Sequence, residues 1–179
     1  MNKPLKEPTK FLWLDMEMTG LDPNTEAILE VAAVVTDMQL VNQSETYLSK
    51  MDEWNQTHHR DSGLLDLVRK QGRPQNIVEN ELVNLCERHF PDEGVILAGN
   101  SIFQDRLFIQ KHMPRFFLKL HHRMLDVSAW KVVMTTRYRL KYEKKNAHRA
   151  IDDIFESIAE LEFYLEYFKV PPNYFGSGH

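Results

Sequence analysis

The hydrophobic positions of this chain follow a two-residue period in some segments and a helical period in others. Residues 10–15 and 27–37 are apolar and rich in β-branched side chains, and LDPNTE between them has the composition of a turn. These two segments are predicted to be paired strands. Shorter apolar or alternating runs predict three more strands, at LVNQSETYLS, GVILAGN and RMLDV.

Apolar residues at helical spacing predict helices at IVENELVNLCERHF and FQDRLFIQKHM. A longer amphipathic helix is predicted over residues 149–168. Its apolar stripe is expected to contain Ile151, Phe155, Ile158, Leu161 and Leu165. The mixture of strands and helices predicts an α/β domain with a mixed sheet.

The length of 179 residues is enough for one domain with a sizeable core, and two full domains are not expected. We expect a single domain over residues 10–168, with loosely held tails at 1–9 and 169–179. Hydrophobic residues make up 42% of the chain and charged residues 27%, and no apolar run is long enough to span a bilayer. The composition is therefore typical of a protein without a membrane partner.

The expected location is the cytoplasm. The basic N-terminus is not followed by a signal-type apolar segment, and the single cysteine, Cys86, cannot form an internal disulfide. Cys86 is expected to be a core residue of a helix. The formal net charge of −4 argues against a protein that coats long nucleic acid, although a short substrate is compatible with it. Positive charge is concentrated in residues 137–149, which are expected to form a solvated loop.

Two acids interrupt the apolar stretch WLDMEMTGL. Successive side chains of a strand point to opposite faces, so Asp15 and Glu17 share one face with Trp13. Two neighbouring carboxylates repel each other, and burying them is costly. They are therefore either a solvent-facing pair near a strand end or ligands of a divalent cation such as Mg²⁺.

Other acids strengthen the second interpretation. Asp105 falls in the first turns of a helix that follows a short strand, where open α/β sheets usually bind ligands. His148 and Asp153 are five residues apart, which in one regular helix would separate their side chains by about 140°. His148 is therefore expected just before the helix, either as a polar residue near its start or within reach of a metal held by Asp153. Periodicity does not distinguish Asp153 from Asp152.

The motifs DMEMTGLDP, GNSIFQDRLFIQKHMP, LDVS and AHRAIDDIFESIAEL occur in an order and spacing that resembles oligoribonuclease. This family belongs to the DEDD-type 3′-to-5′ exonucleases of the histidine subclass. The resemblance extends from about Lys10 to Phe168, and EMTGLDP and GNSIxQDR are its most specific parts. It implies a ribonuclease H-like fold, in which helices flank a mixed five-stranded sheet.

The resemblance implies that four carboxylates hold two Mg²⁺ or Mn²⁺ ions, and that His148 is the general base. The four are Asp15, Glu17, Asp105 and Asp153. In two-metal hydrolysis of a phosphodiester, the ions activate the attacking water and stabilise the leaving oxygen. An imidazole with an ordinary pKa near 6.5 can accept the proton of that water near neutral pH.

The resemblance also assigns substrate-binding residues. Leu21 matches an apolar wedge against a base, and Trp54 and His59 match residues that line the substrate. Local packing is the alternative interpretation of these three. The resemblance implies that a further group of residues caps the 5′ phosphate and so measures substrate length. This group contains Ser101, Arg123 and Ser128.

The implied activity is that of a homodimeric exoribonuclease that degrades dinucleotides and very short RNA to mononucleotides. A DNA proofreading-type exonuclease of the same superfamily is the nearest alternative, and it would not need Arg123 or Ser128. A catalytically dead nucleotide-binding module is a second alternative.

Three features depart from the family pattern. In the family, a tyrosine commonly precedes the arginine that corresponds to Arg123, and it is contributed to the neighbouring subunit's site. In this chain the position is occupied by His122. Phe103 stands where a glycine is usual, and MTTRYRLKYEKKN before His148 lacks the Trp-Lys-Pro pattern of the family. The predicted metal ligands are unaffected by these differences, whereas length preference and rate are expected to depend on them.

Overall fold

A computed structural model describes residues 11–33, 36–40, 61–91, 94–143 and 150–167. Its centre is a five-stranded sheet with the order β3-β2-β1-β4-β5. The strands are β1 (Leu12–Met18), β2 (Ile28–Ala33), β3 (Thr36–Leu40), β4 (Val95–Gly99) and β5 (Leu120–Asp126). The predicted tails lie outside the described residues.

The sheet is mixed, as predicted. β2 runs antiparallel to both β1 and β3, whereas β1, β4 and β5 are parallel to one another. The carboxyl ends of the three parallel strands therefore lie along one edge of the sheet. This edge brings together the segments that follow Met18, Gly99 and Asp126.

The described part of the chain contains six helices: α1 (Leu64–Gln71), α2 (Gln75–His89), α3 (Ile102–His112), α4 (Pro114–Phe117), α5 (Val127–Tyr138) and α6 (Ala150–Glu166). Three of them, α2, α3 and α6, confirm predicted helices. The basic run at 137–149 begins inside α5, whose last residue is Tyr138, so its start is helical and not a loop. None of the helices in these ranges is both long enough and apolar enough to cross a membrane.

The strand predicted over residues 27–37 is confirmed as β2, which pairs with β1, but its extension beyond Ala33 is wrong. Beyond Ala33 the chain continues as a second, antiparallel strand, since Ala33 of β2 pairs with Thr36 of β3. The sequence between them contains no glycine, proline, asparagine or aspartate, so its composition gives no sign of a chain reversal. The strand predicted at LVNQSETYLS lies outside the described residues, except for Leu40 at the end of β3.

The two faces of β1 have different surroundings. Leu12, Leu14 and Met16 point into the main hydrophobic core, together with side chains of α2, α3 and α4. Cys86 of α2 is buried there, as predicted. The alternate positions lie on the face that α6 covers, where Trp13 packs against the start of that helix. This alternation places the acids of β1 beneath α6.

The apolar stripe predicted for α6 is partly wrong. Phe155 and Leu165 are exposed, and Ile151 and Ile158 are only partly buried. The buried side chains of α6 are Ala150, Ile154, Ser157, Glu160, Leu161 and Tyr164. Two of them, Ser157 and Glu160, are polar. The helix is rotated relative to the prediction because Ser157 and Glu160 form hydrogen bonds beneath it. This rotation leaves Asp152 exposed and Asp153 half-buried.

Candidate active site

Three acidic side chains converge between β1 and α6. One carboxylate oxygen from each of Asp15, Glu17 and Asp153 lies within 4.8 Å of the others. All three side chains are half-buried, so Asp15 and Glu17 are neither fully exposed to solvent nor enclosed in the core. The cluster forms because β1 presents two acids on one face and the first turns of α6 add the third.

Asp105 borders this cluster from α3. Its side chain is only 5% exposed, and its carboxyl group is hydrogen-bonded to the backbone of Met16 in β1. Burial raises the pKa of Asp105 well above its ordinary value, and the negative charges of Asp15 and Glu17 raise it further. Asp105 therefore lies within electrostatic range of the cluster without belonging to the group of oxygens within 4.8 Å.

The donor set fits a hard divalent cation. Carboxylate oxygens are the ligands that Mg²⁺ and related ions prefer, and a cation would offset the repulsion between neighbouring acids. The pKa of Asp105 is raised first by burial and then by the charges of Asp15 and Glu17, and a bound cation would offset those charges. These residues can therefore bind a cation, and the charge of that cation would favour the ionised form of Asp105.

A buried acid of β2 contacts the start of α6. Glu30 is directly opposite Glu17 in the β1–β2 ladder, and its side chain is fully buried. The backbone N–H of Ala150 donates to Glu30 Oε2 over 3.3 Å. Sequence reasoning missed Glu30, although an acid inside the apolar run AILEVAA is the same signal that drew attention to Asp15.

A second set of hydrogen bonds joins α6 to the turn after β4. The side-chain amide of Asn100 donates to Ser157 Oγ over 2.9 Å and to Glu160 Oε2 over 3.1 Å. Tyr164 donates its hydroxyl proton to Glu160 Oε1 over 2.8 Å, and Ser157 donates to the backbone carbonyl of Asp153 over 2.7 Å. This network, which the sequence did not predict, fixes α6 relative to the edge of the sheet.

Leu21 lies in the loop after β1 and is 74% exposed. Its backbone is nevertheless held in place, because the side-chain amide of Gln104 in α3 donates to the Leu21 carbonyl. His112 Nε2 forms a hydrogen bond with the carbonyl of Pro23 over 2.9 Å, and burial lowers the pKa of this histidine. The loop thus presents an exposed apolar side chain on a fixed backbone.

Ser101 and Ser128 lie at the same edge of the sheet. Ser101 follows β4 and precedes α3, while Ser128 is in the first turn of α5. Both contact Asp126: the backbone N–H of Ser101 donates to its Oδ1 over 3.0 Å, and the Ser128 N–H and hydroxyl donate to the same oxygen. Asp126 was not predicted as a site residue, although an Asp two residues before a Ser at a helix start is typical of an N-cap.

Arg123 lies at an irregular part of β5. Val95 pairs with Leu120 and Leu97 pairs with Met124, so β5 has three residues where β4 has one. The bulge contains His121, His122 and Arg123. The two imidazole rings are 4.1 Å apart between centroids, and the Arg123 N–H donates to His121 Nδ1 over 3.1 Å. Bulges near sites change the direction of side chains, and here His122 and Arg123 are both exposed.

The remaining predicted site residues, Trp54, His59 and His148, lie outside the described residues. Their roles stay predictions. Phe103, which replaces the glycine usual in the family, is 56% exposed on α3. A large side chain is therefore accommodated at this position without entering the core.

Comparison with known proteins agrees with this geometry. The exonuclease family RNase_T matches residues 12–161. A curated oligoribonuclease from Pseudomonas savastanoi pv. phaseolicola is 40% identical over 93% of this chain and 100% of its own length. An oligoribonuclease from Alkalilimnicola ehrlichii is 42% identical over 88% of both chains, and one from Pseudomonas aeruginosa is 39% identical over 92% of this chain and 98% of its own.

The family match includes β1, α3 and most of α6, which carry the four predicted carboxylates. The relatives match nearly the whole chain at an identity well above the level at which only the fold is shared. The enzyme class that follows is a nuclease, that is, a phosphodiester hydrolase. This chain belongs to the exonuclease family, and within it to the oligoribonucleases.

Proposed function

We propose that this protein is a metal-dependent 3′-to-5′ exoribonuclease that hydrolyses dinucleotides and very short oligoribonucleotides to nucleoside 5′-monophosphates. The observation that carries the proposal is the convergence of Asp15, Glu17 and Asp153 beside the buried Asp105. The relatives named oligoribonucleases support RNA as the substrate.

The four carboxylates would hold two Mg²⁺ or Mn²⁺ ions. When bound, the ions supply water activation and charge stabilisation at the leaving 3′ oxygen. Asp15, Glu17 and Asp153 contribute oxygens from two rigid elements, so little reorganisation is needed to bind a cation. Asp105 reaches β1 from α3 and would complete the ligand set in its ionised form. His148, just before α6, would accept the proton of the attacking water.

Substrate length would be set by contacts at both ends of a dinucleotide. Leu21 would pack against a base from its fixed loop, and Trp54 and His59 would line the substrate. Ser101, Arg123 and Ser128 would bind the 5′ phosphate at the carboxyl ends of β4 and β5. The net charge of −4 supports a short substrate, because extended nucleic acid is bound mainly through many phosphate contacts.

We also propose that the protein acts in the cytoplasm as a homodimer. β5 is an edge strand of the described sheet, and its bulge exposes His122 and Arg123. An unpaired edge is a place where a second chain can associate. Light scattering should give the mass of a dimer, and the mass of a monomer at all concentrations used for activity would contradict this part.

The test of the activity is hydrolysis of a seven-nucleotide RNA labelled at its 5′ end, with Mn²⁺ or Mg²⁺, with chelator, and with a 3′-phosphate block. We expect stepwise shortening from the 3′ end, release of nucleoside 5′-monophosphates, and no reaction with chelator or with the blocked RNA. Asp15→Ala is the inactive control. Faster cleavage of the matched DNA would instead indicate a proofreading-type exonuclease, and tight binding without turnover would indicate a nucleotide-binding module.

A further inference from the structure

Asp126 joins the two serines of the predicted phosphate-binding group through one carboxylate oxygen. Its Oδ1 accepts the backbone N–H of Ser101 over 3.0 Å, the N–H of Ser128 over 2.9 Å, and the hydroxyl of Ser128 over 2.5 Å. Asp126 ends β5 and is the N-cap of α5, whereas Ser101 follows β4. One side chain therefore links the ends of two neighbouring parallel strands.

Ser101 adopts a backbone conformation that needs such support. Its φ is 52° and its ψ is 29°, in the left-handed region that side chains other than glycine rarely adopt. A residue in this region is strained and persists only where its surroundings hold it. Ser101 is held through its N–H by Asp126 and through its carbonyl by the N–H of Gln104, over 2.9 Å.

The hydroxyl groups of the two serines have different roles. Ser128 donates its hydroxyl proton to Asp126, which fixes the side chain of Ser128. Ser101 is the N-cap residue of α3 but forms no side-chain capping bond with that helix, and it is exposed. The hydroxyl of Ser101 is therefore the more suitable donor to an incoming anion, and its position depends on the backbone that Asp126 holds.

We propose that Asp126 is a positioning residue for recognition of the substrate's 5′ phosphate, acting through the backbone of Ser101. This inference rests on the proposed function. A carboxylate beside a phosphate would ordinarily repel it. At Asp126 three donors on one oxygen offset part of the negative charge, and Arg123 on the same strand adds a positive one.

The experiment compares three substrates: a 5′-phosphorylated diribonucleotide, the same dinucleotide with a 5′ hydroxyl, and a 5′-phosphorylated seven-nucleotide RNA. For Asp126→Ala we expect KM for the phosphorylated dinucleotide to rise about tenfold, since each ~1.4 kcal/mol of lost binding is a factor of ten. The kcat of the variant for the phosphorylated dinucleotide should stay near that of the wild type, as should its kcat and KM for the other two substrates. Asp126→Asn should restore most of the affinity, because the amide oxygen can accept the same hydrogen bonds.

Two further variants control for folding. Asp126→Ser keeps an N-cap acceptor for α5 but shortens the side chain that reaches Ser101, and it should show the same selective loss as alanine. Asp66→Ala removes an exposed acid from the first turn of α1 and should leave all three substrates unaffected. Thermal unfolding of each variant shows whether it is folded at the assay temperature.

A proportionate loss on all three substrates in folded Asp126→Ser would show that Asp126 only stabilises the fold, and would overturn the proposal. Wild-type kinetics in both Asp126→Ala and Asp126→Ser would overturn it as well. If the wild type itself does not distinguish the phosphorylated dinucleotide from the unphosphorylated one, the proposed length preference fails and the role of Asp126 fails with it. A wild-type preference that survives in the Asp126 variants contradicts the role of Asp126 alone.

Discussion

At the scale of single residues, the informative signal is an acid inside an apolar run. Strand alternation is local, so the shared face of Asp15 and Glu17 could be predicted from the sequence alone. Periodicity did not distinguish Asp152 from Asp153, because that choice depends on the rotation of α6 about its axis, and only the family resemblance selected Asp153. That rotation follows from the hydrogen bonds of Ser157 and Glu160 with Asn100, a residue distant in sequence.

The neighbouring acids of α6 provide a matched pair of variants. Asp153→Asn should lower kcat/KM at least about 100-fold, which corresponds to ~2.7 kcal/mol of lost transition-state stabilisation. Asp152→Asn removes the same charge from an exposed position and should leave the rate within about a factor of two, as is usual for surface substitutions. Steady-state rates on a short RNA measure both. Equal losses in the two variants would contradict the assignment of Asp153 to the cluster.

The burial of Asp105 predicts a trade-off between stability and activity. The pKa of Asp105 is raised in the folded state. Above the ordinary carboxyl pKa, the metal-free folded protein therefore binds more protons than the unfolded chain. The stability of the protein falls as the pH rises through that range. Asp105→Asn removes this penalty. In chelator at neutral pH the variant should unfold about 2 °C or more above the wild type, since ~1 kcal/mol shifts the Tm of such a chain by ~2–4 °C.

The same variant should be inactive, and the difference in Tm should shrink as the pH is lowered or when Mn²⁺ is added to the wild type. Scanning calorimetry across a pH series measures this directly. A wild type that is at least as stable as Asp105→Asn in chelator at every pH would contradict a raised pKa of Asp105 in the folded protein.

At the scale of elements, α2, α3, α6 and most strands could be predicted because hydrophobic periodicity reports which face is buried, whereas α1, α4 and α5 were not predicted. The reversal between β2 and β3 could not, since Ala33 and Thr36 are separated by residues without turn chemistry. The bulge that contains Arg123 was also missed, because it depends on how β5 pairs with β4. Motif resemblance supplied the site residues where periodicity alone left alternatives open.

The contact between β1 and β4 requires a glycine. A Cβ on Gly99 would lie 2.7 Å from the backbone carbonyl oxygen of Leu14, next to Asp15. Gly99→Ala should therefore separate the strands, destabilise the protein by about 1–3 kcal/mol as overpacking does, and lower activity. Gly94→Ala is the control at the other end of β4, where a Cβ would lie 3.3 Å from the His121 side chain. Chemical denaturation that shows a larger effect for Gly94→Ala would contradict this interpretation.

At the scale of the whole molecule, the net charge and the site geometry agree with each other. A chain with a charge of −4 has little general attraction for nucleic acid, so its affinity must come from a few placed contacts. Among the described residues, Ser101 follows β4, Ser128 follows β5, and Leu21 lies on the loop after β1. The proposed binding at both ends of a short substrate would use this arrangement.

Salt dependence tests this consequence. Each phosphate contact on a single strand contributes a slope of about −0.7 to the logarithm of affinity against the logarithm of salt concentration. A dinucleotide with a 5′ phosphate offers only two phosphates, so the slope of 1/KM should be no steeper than about −1.4 by the same rule. This slope is measured at constant Mg²⁺ with varied KCl. A much steeper slope would indicate an extended RNA-binding surface.

The most direct test of the account is a competition between a 5′-phosphorylated diribonucleotide and a seven-nucleotide RNA in one reaction with Mn²⁺. The account predicts faster consumption of the dinucleotide, complete loss of both reactions with chelator, and loss of both in Asp15→Ala. Equal or faster consumption of the longer RNA would contradict the length-measuring role of Ser101, Arg123 and Ser128, and turnover in chelator would contradict the metal-dependent site itself.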